Sequence, residues 1–271
     1  MKIVQQPRQQ EISDSPDRPF SMAIEVIGRE GSIALFSGDR LIEARGLAAN
    51  SRAADSRVAD SRVAGRLAPA IEALACDFLP QGSLDSLGSI SVAVGPGSFT
   101  GLRIAVTTAK TLGYALQIPL LAVNSLTAIA ATGPPDCMLG LLAAEGESQE
   151  SCGRSVLVGL AAYRGQVYRG RFQTDADPEI DLVSAEQWKQ EIATACSAAG
   201  KKTANRYVFL GDRAVFERTG VAIDPDSWFD SEERAVGVGR IAAAMLRRGD
   251  VTSAMDLVPD YLRPSAAEEQ V

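Results

Sequence analysis

The stretch Val92–Leu116 constrains this chain more than any other. It reads Val-Ala-Val-Gly-Pro-Gly-Ser-Phe-Thr-Gly-Leu-Arg-Ile-Ala-Val-Thr-Thr-Ala-Lys-Thr-Leu-Gly-Tyr-Ala-Leu. Val92–Val94 is a compact apolar run, the pattern of a strand covered on both faces. Gly95-Pro96-Gly97 breaks it, because proline fixes φ and glycine admits angles closed to other residues. Ser98 or Thr100 can cap the long helix that follows. Leu102, Val106, Ala109 and Leu116 form one apolar stripe on it, at helical spacing. Gly101, Ala105, Ala109 and Gly113 recur every four residues and leave one side nearly smooth, which lets another helix approach closely. The sequence therefore reads this helix first as a contact surface and second as part of a ligand site.

The same turn is a candidate phosphate loop through Gly95, Gly97, Ser98 and Thr100, since a helix N-terminus offers free N–H groups. It lacks the Gly-Lys-Ser/Thr of a Walker A loop. It also misses the dinucleotide glycine spacing by one residue, and no acid stands where a ribose would need one. A tight turn that seats helices is the plainer alternative. Ser98 has no histidine to activate it, and Lys110 lies too far along the helix. Arg103, Thr107, Lys110 and Tyr114 share one face, either solvated or touching a partner.

Composition narrows the chemistry. Among 271 residues there is no histidine, which removes the commonest general base and the Ser-His and Cys-His mechanisms. The four cysteines, Cys76, Cys137, Cys152 and Cys196, form no Cys-x-x-Cys pair. They read as scattered reduced thiols of a cytoplasmic protein, with no metal site. The net charge of −7, without a basic run, argues against direct nucleic-acid binding by this chain alone. No apolar run reaches the ~18 residues of a membrane span.

Taken in order, residues 1–18 are polar and read as a disordered tail. Phe20–Ile27, Ser32–Phe36 and Arg40–Arg45 form a β-meander. Ser51–Gly65 holds a tandem pentapeptide, Ser-Arg-Ala-Ala-Asp, Ser-Arg-Val-Ala-Asp, Ser-Arg-Val-Ala-Gly. Five residues turn a helix by about 500°, so its arginines form no stripe. Val63, Leu67, Ile71, Leu74 and Phe78 share a face of a helix that Pro80 and Gly82 end. Leu120–Val123 reads as a strand and Leu126–Ala131 as a helix capped by Asn124 or Ser125. After Gly133-Pro134-Pro135, residues 137–154 read as an insertion loop. Ser155–Ala161 and Gln166–Phe172 make a hairpin around Tyr163-Arg164-Gly165. Ser184–Ala199 is helical with Ser184 as cap, and Tyr207–Leu210 is a strand ending at Gly211-Asp212. Asp212 reads as a turn residue or, less simply, a cleft acid. Ala235–Arg248 is a helix with a basic last turn, and Asp256–Pro264 is extended.

A meander followed by alternating helix and strand occurs on both sides of Pro135, which suggests two similar α/β halves. This arrangement resembles the sugar kinase/Hsp70/actin superfamily. The stretch Gly95-Pro96-Gly97-Ser98-Phe99-Thr100-Gly101-Leu102-Arg103-Ile104 is more specific and resembles the signature of the TsaB (YeaZ) family. Arg66–Ile71, Arg164–Tyr168 and Pro259–Arg263 resemble further segments of that family. The resemblance implies an α/β fold of two duplicated actin-like ATPase (ribonuclease H-like) lobes, each a mixed β-sheet with flanking helices. Lobe I would span 19–132, with helix 235–248 packing back on it. Lobe II would span 133–234, and 249–271 would be a C-terminal segment.

The chain departs from the family at chemically telling positions. Glu25, Val26 and Ile27 stand where the family has an Asp followed by Thr or Ser. Ala161, Ala162 and Tyr163 replace Asp-Ala-Arg, Gln166 replaces a Glu, and Val63 a histidine. Altered carboxylates leave little to organise Mg²⁺. The resemblance therefore implies a non-catalytic scaffold subunit beside a catalytic TsaD-like paralogue. A TsaE-like ATPase would be a third component, and the chemistry would be threonylcarbamoyl transfer to an adenine of tRNA. tRNA would be met only through the complex, and the chain alone would form a homodimer. The expected partner interface is Val63, Leu67, Ile71, Leu74, Gly101, Arg103, Ala105, Ala109 and Gly113. No catalytic residue, metal or cofactor is expected, with ATP or ADP at the interlobe or intersubunit cleft as the open alternative. An ATP-binding small-molecule kinase or ATPase of the same superfamily is the competing function. Peptidase chemistry lacks both a histidine pair for metal and a base for serine.

Overall fold

Short β-branched runs alternating with amphipathic helices build two mixed sheets in the computed structural model. It describes residues 18–27, 31–47, 56–134, 137, 154–173, 176–197, 207–230 and 233–262, apart from the side chains of 56–64. The first sheet has the order β3-β2-β1-β4-β5, from β1 (Phe20–Glu25), β2 (Ser32–Ser37), β3 (Arg40–Gly46), β4 (Leu87–Gly95) and β5 (Leu120–Asn124). β1, β2 and β3 pair antiparallel, while β4 lies parallel to both β1 and β5. Helices α1 (Ser56–Phe78), α2 (Phe99–Leu116) and α3 (Ser125–Ala130) interleave with these strands.

The second sheet has the order β8-β7-β6-β9, from β6 (Ser155–Ala161), β7 (Val167–Gln173), β8 (Ala176–Val183) and β9 (Tyr207–Gly211). It repeats the first sheet's logic, two antiparallel pairings and then a parallel one, without a described counterpart of β5. Helices α4 (Ala185–Ser197), α5 (Arg213–Glu217) and α6 (Arg234–Arg248) complete the fold.

Strand side chains alternate between two cores, as a period of two demands. In β1, Met22 and Ile24 face the core under α1 and α2, while Ala23 faces the middle of the molecule. In β6, Val156, Val158 and Leu160 face that middle, and Leu157 faces the core under α4 and α5. The result is five layers: α1 and α2, the first sheet, α3 with α6, the second sheet, then α4 with α5. The central layer lets helices meet closely, since a Cβ on Gly237 of α6 would collide with the Ala128 carbonyl of α3.

The strand-end signals seen in the sequence appear as bonds. Asn124 Oδ1 accepts from the amides of Leu126 and Thr127. Ser184 and Gln187 exchange bonds as a capping box at the start of α4. β8 was invisible to sequence reading because Asp177, Pro178, Glu179 and Asp181 make it polar. An edge strand needs only one neighbour and tolerates such residues. The tandem pentapeptide is helical from Ser56 onward, and its residues 51–55 lie outside the described residues. So do the tail 1–17, nearly all of the insertion loop, the Val63 side chain and Arg263.

Candidate functional site

The expected interface needs correction first. Leu67, Ile71 and Leu74 of α1 are buried against the first sheet. Gly101, Ala105, Ala109 and Gly113 of α2 are buried as well. A Cβ on Gly101 would collide with the Val26 carbonyl, and one on Gly113 with Leu120. The smooth side of α2 thus admits the chain's own sheet. Leu67, Ile71, Leu74 and the small-residue track are therefore covered by the chain itself, while Phe78 at the end of the α1 stripe stays exposed. What α1 and α2 leave outside is different: Pro69, Glu72 and Ala73 on one, Thr107, Thr111 and Ala115 on the other, all exposed.

The face carrying Arg103 and Lys110 is occupied by the chain's own C-terminal segment. Lys110 Nζ donates to the carbonyls of Leu257 at 3.0 Å and Met255 at 3.4 Å. Arg103 Nε donates to the Tyr261 hydroxyl at 3.2 Å, and its guanidinium lies 3.9 Å from the Phe99 ring centroid. Phe99 and Tyr261 stack at 4.8 Å. The sequence marks this segment only as extended, since nothing in it names the helix it lies along.

The glycine-proline turn faces protein on every side where its backbone is tight. Gly95 has φ 135°, and a Cβ there would strike the Asp260 carbonyl, whose amide donates to Val94 O at 2.7 Å. A Cβ on Gly97 would strike Ile27. Ser98 N donates to Ile27 O, Leu102 N to Ser98 O, and Gly101 N to Ser98 Oγ, with the Thr100 side chain exposed beside them. The amides of Ser98, Gly101 and Leu102 are therefore committed within the protein, not offered to a phosphate.

The strand ends of the two sheets meet in a polar network. Glu25, the last residue of β1, is only 2% exposed. Its Oε1 accepts from Ile27 N at 2.7 Å and its Oε2 from Ser32 Oγ at 3.2 Å. Ser32 Oγ accepts in turn from Ala235 N at the start of α6. On the other side Asp212, just after β9, accepts from Ala161 N at 2.9 Å and pairs with Arg234 at 2.8 Å. Burial pushes the Glu25 carboxyl above its ordinary range; the positive charge of Arg234 opposes this, and Asp212 adds to it. Asp212 is thus neither a plain turn residue nor an open acid. Sequence reading missed Arg234 and Ser32. A signal was there for Arg234, because a cation in a first helical turn opposes the helix dipole and asks for a partner.

A cavity of about 380 Å³ opens in the second half, lined by Arg169, Arg171, Asp181, Glu191 and neighbours. Arg169 forks onto Asp181 and also bonds Glu191, while Arg171 bonds Glu191. Burial would lower the Arg169 charge, but these acids more than offset it and hold it protonated. Its arginines are spent on joining β7, β8 and α4. Among the described residues no group of three or more His, Cys, Asp or Glu is placed to hold a metal ion. The strand-end acids do not fit a nucleotide-bound cation either: one is enclosed with both oxygens bonded, the other is paired with arginine. No helix among the described residues is long and apolar enough to cross a membrane.

Residues 57–146 match the family described as TsaD, tRNA N6-adenosine threonylcarbamoyltransferase. The tRNA threonylcarbamoyladenosine biosynthesis protein TsaB of Bacillus subtilis is 41% identical over 111 residues, 40% of this chain and 39% of the relative. TsaB of Escherichia coli is 28% identical over 93 residues, 34% of each chain. The aligned chain thus spans about two-fifths and one-third of these relatives. The solved structure of YeaZ from Pseudomonas aeruginosa superposes with a TM-score of 0.61 at 22% identity, covering 89% of this chain and 99% of that one. The fold is therefore that of YeaZ, along nearly the whole length of this chain.

Proposed function

From its similarity to TsaB over 111 residues and to the YeaZ fold over 89% of its length, we propose that the chain is a non-catalytic partner subunit. Its partner is a TsaD-like threonylcarbamoyltransferase acting on tRNA adenosine. One observation carries the non-catalytic part: the acids at the strand ends of both sheets are engaged by the chain itself, Glu25 by Ile27 and Ser32 and Asp212 by Arg234 and Ala161. Neither of these two acids is then left open to hold a metal or orient water.

The docking face is the exposed side of α1 and α2, which includes Pro69, Ala73, Thr111 and Ala115. These residues are small or uncharged, which suits close helix approach. In the absence of the transferase the same face pairs two copies, and a TsaE-like ATPase joins the assembled pair. With net charge −7 the chain meets tRNA only through the complex. On this reading the chain needs no cofactor of its own, and an ATP or ADP in the complex sits at a cleft built with a partner.

Co-purification tests the reading. The wild-type chain should retain the organism's TsaD-like protein, and Ala73→Arg with Thr111→Arg should release it while keeping the wild-type fold by circular dichroism. Retention by the double variant overturns the docking face. Steady Mg-ATP hydrolysis by the isolated chain overturns the non-catalytic role and favours the kinase or ATPase reading.

A further inference from the structure

Two carboxyl groups from different sheets face one guanidinium. Glu25 ends β1 of the first sheet, Asp212 follows β9 of the second, and Arg234 opens α6, which packs in the layer between them. Arg234 Nη2 lies 2.8 Å from Asp212 Oδ1, and its positive charge works against the larger effect of burial on Glu25. The Ser32 hydroxyl and the amides of Ile27, Ala161 and Ala235 bond to the two acids or to Ser32 itself. Each half contributes a hydrogen bond to the same chain of contacts, from Ile27 through Glu25 and Ser32 to α6, and from α6 through Asp212 to Ala161.

We propose that Arg234 is a built-in cation that clasps the two halves at their strand ends, so that the chain keeps its interlobe arrangement with no ligand in the cleft. The position explains a residue that is otherwise badly placed. A cation in the first turn of a helix is disfavoured by the dipole, and here the side chain is 13% exposed with an acid at hydrogen-bond distance. A charged, partly buried bond of this kind loses more on truncation than a surface pair does. The apolar contacts of α3 and α6 hold the layers together, so the clasp governs the rim of the cleft and not the folding of either sheet. The inference is independent of the partner role, since it concerns the chain alone.

Amide hydrogen exchange on the intact chain tests it. Arg234→Gln should speed exchange at Ile27, Ala161 and Ala235 by about tenfold or more, while Val92 and Val158 in the sheet centres keep wild-type protection. Asp212→Asn, which keeps the shape and removes the charge, should speed Ala161 and Ala235 similarly. The double variant should add little to either single change. Arg247→Gln, at an exposed pair with Asp39, is the control and should change none of these amides. Wild-type exchange at Ile27, Ala161 and Ala235 in both Arg234→Gln and Asp212→Asn would overturn the proposal. Uniform loss of protection, sheet centres included, would also overturn it, because Arg234 would then be a general stabiliser.

Discussion

Glu25 ends β1 where the strand ends of the two sheets meet, and its carboxyl is enclosed. Its folded pKa is raised by burial, against Arg234 and its two hydrogen bonds. The native state therefore holds this proton at pH values where the unfolded chain has lost it. Its stabilising contribution is complete below about 4.5, the ordinary value, and is lost as pH rises through the elevated folded value. Urea midpoints measured upward from pH 4.5 should fall in the wild type and fall less in Glu25→Gln. Equal slopes would contradict the assignment. At Gly101 the demand is steric: an alanine methyl would overlap the Val26 carbonyl. Gly101→Ala should cost about 1–3 kcal/mol or more in chemical denaturation, far beyond the loss of helix entropy that alanine relieves.

At the scale of the element, α2 has two covered sides and one open side. Its buried side rests on β4, another side carries the C-terminal segment through Arg103 and Lys110, and Thr107, Thr111 and Ala115 remain outside. Lys110→Ala should release the segment, seen as faster proteolysis after Met255, with a stability loss within about 1.5 kcal/mol. Leu74→Ala should cost about 2–5 kcal/mol, as a core cavity does, without acting selectively on partner binding. The periodicity of α1 and α2 was legible in the sequence, and so were the caps at Ser98, Asn124 and Ser184. Which neighbour each stripe would meet was not. An apolar stripe looks the same whether its own sheet or another protein covers it, and the sheet has first claim because it is tethered. β8 stayed hidden for the opposite reason, its polarity being that of a loop.

For the whole molecule, the repeated order of elements makes the two-half architecture readable in the sequence. The strand order 3-2-1-4 recurs in both sheets, and the fold matches YeaZ along nearly its full length. The clasp of Glu25, Arg234 and Asp212 was beyond reach, since its members lie far apart in sequence and meet only when β1, β9 and α6 converge. The altered acid at Glu25 did point to the right region. On the proposed reading, function lies on the outside of α1 and α2 and the strand-end acids are structural.

The most direct measurement is threonylcarbamoyladenosine in tRNA from cells depleted of their TsaB and supplied with this chain. The wild type and Glu25→Gln should both restore the modified base to similar levels. Ala73→Arg with Thr111→Arg should leave it absent, though the protein accumulates normally. If Glu25→Gln abolishes restoration, or the double variant restores it fully, the cleft and not the outer helical face carries the function, and the account is wrong.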